Sequence, residues 1–262
     1  MVLPIPSHES VLRSHRWRTA ENSAAYLLPH LVSGTSVLDI GCGPGTITVD
    51  LATCVAPGPV TAVEISGDAL QLARRLTGGQ RNIDFVVSDV HALDFPDSTF
   101  DVVHAHQVLQ HVADPVRALR EMRRVSRPGG IVAVRDSDYA AFTWFPRVPA
   151  LDEWLGLYQQ AARANAGEPD AGRRLLSWAH AAGFTDVRAS ASTWCFATPT
   201  ETRWWGEMWA ERIRSSDLAR QLLTSGAATA GDLRRISDGW RERAAAADAW
   251  FAVLHGEIVC RS

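Results

Sequence analysis

Lysine is absent: all 26 basic side chains of this 262-residue chain are arginines. That excludes Schiff-base chemistry and a lysine general base. Cysteine is scarce, and Cys42, Cys54, Cys195 and Cys260 lack any paired close spacing. Neither a zinc site nor a disulfide framework is expected, and no other metal site is indicated. No apolar run approaches the ~18 residues of a membrane span. Met1 to Ser14 has no apolar core of signal-peptide length, so a reduced, cytoplasmic protein is expected. With 26 basic against 29 acidic residues and a net charge of −3, the global basic footprint of a nucleic-acid binder is missing. Repeats and low-complexity stretches are missing too. What remains is an ordinary globular composition, 46% hydrophobic and 21% charged, enough for one large α/β domain with an appendage.

Residues 35 to 136 alternate strands with helices. Buried strands are expected at 35–41, 60–65, 83–87, 100–104 and 130–136, each a short apolar run bounded by turn residues. Between them, 45–54 reads as a helix. Ser66 is placed to cap a second, with Ala69, Leu72, Ala73 and Leu76 on one face. Asp114-Pro115 opens a third, with Val116, Leu119, Met122 and Val125 aligned. Such alternation implies a doubly wound parallel sheet whose ligands lie beyond the strand ends. Further on, 170–182 reads as a helix, 187–196 and 250–260 as strands, and 199–247 as mostly helical. Residues 18–30 also look helical.

Three motifs fall at strand ends. In Val37-Leu-Asp-Ile-Gly-Cys-Gly-Pro-Gly-Thr46, a strand runs into a glycine turn and then a helix, so backbone N–H groups can approach a ligand. Asp39 precedes the first glycine, and Glu64 ends the second strand, where a carboxylate can accept both hydroxyls of a ribose. Asp89 follows the third strand, placed to accept from an adenine amine, with Val90 beside the ring. His104-Ala-His-Gln-Val-Leu-Gln-His111 follows the fourth. A nicotinamide dinucleotide site would want GxGxxG; here the third glycine comes one residue early, and Asp39 would oppose a diphosphate.

On Leu38-Asp-Ile-Gly-Cys-Gly-Pro-Gly45, Glu64, Asp89 with Leu93 to Asp101, His111-Val-Ala-Asp-Pro115 and Arg127-Pro-Gly-Gly130, the chain resembles the class I S-adenosylmethionine (SAM)-dependent methyltransferases. Among these it looks most like the small-molecule enzymes of ubiquinone and menaquinone biosynthesis. The resemblance covers about 100 consecutive residues and is specific for fold and cofactor, not for substrate. It implies a Rossmann-like α/β fold: a seven-stranded, mostly parallel sheet in the order 3214576, the last strand antiparallel, with helices on both faces. It implies that Asp39, Gly41, Cys42, Gly43 and Gly45 bind the methionine part of the cofactor. Glu64 and Ile65 would hold the ribose, Asp89 and Val90 the adenine, and His106 and Gln107 would lie near the reacting methyl. The product would be S-adenosylhomocysteine (SAH). Where such enzymes commonly have a short hairpin, this chain has a long insert between its last two strands.

The expected organisation is an N-terminal helical cap (1–34), a SAM-binding core (35–198 plus 249–262) and a helical lid insert (199–248). Methyl transfer from a sulfonium favours a dry, closed pocket and alignment of acceptor, methyl and sulfur. In the insert, Trp205, Met208, Trp209 and Ile213 share a helical face. They either pack the lid onto the body or line an apolar acceptor pocket. Tyr26, Asp136, Trp144, Trp205 and Trp209 are candidate acceptor contacts, and His106 and His111 candidate bases for a hydroxyl acceptor. The run Arg120, Arg123, Arg124 and Arg127 reads as a solvated face. The expected function is transfer of a methyl to O, C or N of an apolar or aromatic small molecule, secondary-metabolite or quinone-like, by a monomer or homodimer. An RNA or protein methyltransferase and a catalytically silent SAM-binding protein are the alternatives.

Overall fold

Segments apolar on both faces form strands covered on both sides, and glycine or proline punctuates them. The computed structural model describes residues 9–262; Met1 to His8 of the expected cap lie outside the described residues. The elements run α1 (Glu9–Arg16), α2 (Ala20–Ser23), β1 (Val37–Ile40), α3 (Thr46–Val55), β2 (Val60–Glu64), α4 (Gly67–Leu76) and β3 (Ile83–Val87). They continue β4 (Phe100–His106), α5 (Pro115–Val125), β5 (Ser126–Ser137), β6 (Thr143–Phe145), α6 (Pro149–Ala164), α7 (Leu175–Ala181) and β7 (Asp186–Phe196). The last are α8 (Pro199–Ser215), α9 (Asp217–Thr224), α10 (Ala230–Ala245) and β8 (Trp250–Arg261).

β3, β2, β1, β4 and β5 are parallel neighbours in that order. β8 lies antiparallel to β5 on one side and to β7 on the other. The expected seven-strand path is therefore present, with its last strand reversed. Sequence reading missed one strand: β6 pairs with β8 at Trp250 to Ala252, beyond the stretch of β8 that β5 occupies. No helix among the described residues is long and apolar enough to cross a membrane.

Two cores sandwich the parallel sheet. One gathers Leu119, Met122 and Val125 of α5 with Leu175 and Phe184; the other gathers Leu51 and Val55 of α3 with Leu27 and Leu70. The Asp114 carboxylate accepts from the Arg117 N–H at 2.9 Å, the expected cap. Ser66 holds the corresponding position of α4 without a side-chain bond. α4 buries Ala69, Leu70 and Ala73, while Leu76, placed on the inner face by periodicity, is exposed where the helix runs out to the surface.

A third core lies outside the sheet's main body. Leu151 and Trp154 of α6, Trp209 and Ile213 of α8, Leu222 of α9 and Ile236 and Trp240 of α10 meet Phe196 and Phe251 of β7 and β8. α6 was not read from sequence, although Leu151, Trp154, Leu157 and Ala161 recur at helical spacing and are all buried. It joins the inserted helices, so the helical layer is built from two separate stretches of chain. The arginine run across α5 and the start of β5 is partly paired, and Arg120 and Arg123 stay exposed without an ion pair among the described residues. Arg124 pairs with Glu121 and Asp97 at 2.8 Å each, Arg127 with Asp101, and Arg123 lies over Phe184.

Candidate active site

Gly41, Gly43 and Gly45 take φ of +68°, +54° and +82°, a backbone path that side-chain-bearing residues adopt only under strain. A Cβ on Gly41 would lie 2.5 Å from Cγ2 of Val108, and one on Gly45 2.6 Å from Cγ2 of Thr77. At Gly43 the nearest atom is Nδ1 of His15, at 3.8 Å. The outer glycines are thus fixed by packing, and the middle one faces the α1 side of the site.

Under this turn the Asp39 carboxylate is buried. Oδ2 accepts from the Thr48 hydroxyl at 2.6 Å, and Oδ1 meets Nδ1 of His104 at 2.8 Å. Asp39 therefore ties the turn to α3 and β4, and its reach to a ligand runs through the backbone it braces. Glu64 is half-buried at the end of β2, accepting from the N–H groups of Gly43 (3.0 Å) and Ile65 (3.2 Å). Burial pushes its pKa up against those two bonds, and no cation pairs with it among the described residues. A carboxylate so placed is complementary to neutral hydroxyl donors. After β3, Oδ1 of Asp89 is engaged by the His91 N–H and Nδ1 at 2.9 and 2.8 Å. Oδ2 of Asp89 has no partner among the described residues, and Val90 is buried beside it. A turn presenting N–H groups, then a carboxylate for hydroxyls, then a carboxylate above an apolar floor fit SAM in its three parts.

The acceptor side begins at the end of β4. His106 is buried, and neither ring nitrogen has a partner. Burial, then the guanidiniums of Arg135 and Arg18, hold its pKa well below the ordinary value, so it is neutral at pH 7. Gln107 follows with φ +53°. Its side chain accepts from Arg18 at 2.7 Å and meets Nε2 of His255 at 2.9 Å. His15, Arg18, His111, Tyr158 and Arg212 all sit deep among other groups, yet all keep accessible surface. These five side chains are surrounded by protein on most sides while part of their surface stays accessible. Protein around His111 withholds solvation and, with the field of Arg18, brings its pKa down to about 4.

Not every expected acceptor contact belongs to this group. Asp136 is fully buried and accepts from the N–H groups of Leu109 and Gln110 at 3.3 and 3.2 Å. It fixes the loop after β4 and is not presented to an acceptor. Trp144, Trp205 and Trp209 are packed into the helical core, Trp144 stacked on Phe251 and Trp205 on Phe196. Their indoles bind lid to body, the first of the two roles open at the sequence level. Tyr26 lies near Arg135 and Glu257, its hydroxyl buried without a partner and its pKa pushed well up by burial. Sequence reasoning missed Arg18, Tyr158, Arg212 and His255. Arg18 and Arg212 carried a positional signal, through their places in the expected cap and the expected lid insert.

A family model described as a methyltransferase domain matches residues 31–207. An uncharacterized methyltransferase of Schizosaccharomyces pombe is 34% identical over 261 residues, covering 95% of this chain and 92% of that protein. Demethylmenaquinone methyltransferase of Staphylococcus aureus is 35% identical over 126 residues, covering 48% of this chain and 50% of that enzyme. Among solved structures, the YcgJ protein of Bacillus subtilis superposes with a TM-score of 0.61 at 18% identity, covering 92% of this chain and 98% of that one. The fold and the strand-end site define a class I SAM-dependent methyltransferase. The chain belongs to that methyltransferase family, with SAM as its cofactor.

Proposed function

We infer that the enzyme methylates an O, C or N atom of an apolar or aromatic small molecule. The reading is carried by the enclosed yet accessible group His15, Arg18, His111, Tyr158 and Arg212, which we take to line an acceptor chamber beside the rings of Trp194 and Tyr139 and under the helical layer. An enclosed, ring-lined space suits a compact acceptor better than a polymer. The half-length similarity to demethylmenaquinone methyltransferase supports a small apolar acceptor as well.

Bound SAM supplies a methyl group on a sulfonium. The turn from Gly41 through Cys42 and Gly43 to Gly45 receives the methionine part, with Asp39 bracing it. Glu64 and Ile65 hold the ribose, Asp89 and Val90 the adenine, and His106 and Gln107 border the methyl. Residues 1–34 act as a cap, and 199–248 with α6 as a lid. Both exclude water, which favours a transfer that disperses the sulfonium charge. For a hydroxyl acceptor, His106 and His111 are the neutral bases within reach.

The test is incubation with methyl-deuterated SAM and a panel of aromatic and polycyclic acceptors, with RNA and protein fractions alongside, read by mass spectrometry. Label in a small aromatic product is the expected result. Label confined to RNA or protein would overturn the acceptor class.

A further inference from the structure

Two arginines, Arg18 and Arg212, belong to the enclosed group beyond β4. Nη2 of Arg18 donates to Gln107 at 2.7 Å, and the guanidinium lies 5.6 Å from the Trp194 ring centroid. Nη2 of Arg212 donates to the Ser10 carbonyl at 2.9 Å and the Ser14 hydroxyl at 2.7 Å, and its guanidinium lies 4.6 Å from the Trp209 centroid. Both Nε atoms are buried with no partner. Neither side chain forms an ion pair among the described residues, and residues 1–8 contain no Asp or Glu. Arg135, which is more deeply buried, pairs with Glu257 at 3.1 Å, whereas the fully buried Arg243 forms no ion pair among the described residues and lies over the rings of Trp240 and Phe251.

Around the two arginines lie neutral rings and the acceptors already named, and the Glu211 carboxylate, paired with Arg13 at 2.9 Å, acts on Arg212 through space. Tyr139 and Tyr158 stack at 4.0 Å with an interplanar angle of 14°, and their hydroxyls are hydrogen-bonded to each other. His15 and His111 lie within the fields of these arginines. Burial, then the field of Arg212, lowers the pKa of Arg18 to about 9, and burial, with the field of Arg13, lowers that of Arg212 to about 10. Uncompensated positive charge in an enclosed space is costly unless a partner arrives with opposite charge.

Resting on the small-molecule methyltransferase reading, we propose that Arg18 and Arg212 form an anion cradle in the acceptor chamber, so that the acceptor bears a carboxylate or another compact oxyanion. Planar guanidiniums match such groups through two parallel N–H···O bonds. Tyr139 and Tyr158 add hydroxyl donors, and the ring-lined wall takes the acceptor's apolar part. The acceptor is thus an aromatic or polycyclic acid rather than a neutral quinone.

The other anion that could reach Arg18 is the carboxylate of the cofactor's own methionine, because His15 of α1 borders the glycine turn. Benzoate, with benzamide as its neutral isostere, separates these sources when titrated by calorimetry at constant ionic strength, with and without saturating SAH. The expected result is benzoate binding that persists in SAH-saturated enzyme and is about tenfold tighter than that of benzamide. Arg18→Gln and Arg212→Gln should each weaken benzoate about tenfold while changing SAH affinity less than about threefold. Glutamine keeps an amide donor for the Ser10 carbonyl, and retained SAH binding shows that each variant is folded. Three results overturn the cradle: benzoate binding no tighter than benzamide or not at all, benzoate binding unchanged in both variants, or benzoate displaced by SAH. The last assigns the arginines to the cofactor. Failure of wild-type enzyme to bind SAH would strike the methyltransferase reading itself, and it is read in a separate titration.

Discussion

Each carboxylate at a strand end has its own electrostatic task. Glu64 accepts only two backbone N–H groups and has no counter-ion among the described residues, so a ligand hydroxyl is its natural further partner. Glu64→Ala should weaken SAH binding about tenfold or more, the range for hydrogen bonds to a charged group; calorimetry reads this directly, and unchanged affinity would remove Glu64 from the site. Asp136 shows the opposite case. Burial raises its pKa to about 7, against the bonds from Gln110 and Leu109 and the fields of Arg135 and Arg18. Between about pH 4 and 7 the folded protein keeps a proton that the unfolded chain has released. Stability from this group is therefore present at low pH and lost as pH rises through 7, by on the order of a few kcal/mol. Asp136→Asn should flatten that slope in denaturant titrations across the window. A slope as steep as wild type would mean that the carboxyl is ionised throughout. At this scale Glu64 and Asp89 were legible because their place after a strand is itself a sequence feature. Asp136 was misread because position after β5 says nothing about which way a side chain turns.

At the scale of elements, the helical layer is held by aromatic packing. Trp154 meets Trp209 and Trp240 edge to face at centroid distances of 4.6 and 4.8 Å, and Trp209 stacks on Trp240 at 5.8 Å. Trp240 is fully buried. Trp240→Ala should cost about 3–5 kcal/mol in urea denaturation, as for other buried tryptophans. A loss below ~1 kcal/mol would mean that this core is not formed in solution. In the turn, Gly41→Ala forces a side chain into a φ of +68° and against Val108. It should cost about 1–3 kcal/mol and weaken SAH binding together with stability; a variant as stable as wild type would show that the turn relaxes freely. The inserted helices were legible from the helical face that Trp205, Met208, Trp209 and Ile213 share. α6 was not, because it lies between β6 and α7 in a stretch that the family resemblance does not cover. The acceptor chamber was illegible for a related reason: His15, Arg18, His111, Tyr158 and Arg212 come from distant points of the chain, and no local spacing joins them.

For the whole molecule, cofactor binding and stability are linked. At 100 times its Kd, SAH should add about 2.7 kcal/mol, a rise in Tm on the order of 5–10 °C for a chain of this size. NADH should leave Tm unchanged. A shift with NADH and none with SAH would contradict the cofactor fit of the glycine turn. The sheet order was legible at this scale because crossover handedness and strand alternation leave few arrangements. The place of β8 has a consequence for how the protein is made. The strand nearest the C-terminal end of the sequence is hydrogen-bonded to β5, β6 and β7, so it is interior to the sheet rather than at its rim. While the ribosome is still adding residues 250–261, β5 and β7 each present an open edge, and the aromatic faces of Phe196 and Trp205 lack the Phe251 ring. At roughly 5–20 residues per second that interval is brief, but every nascent chain passes through it. A message truncated before residue 250 would leave the intermediate permanently exposed, a substrate for chaperones and proteases.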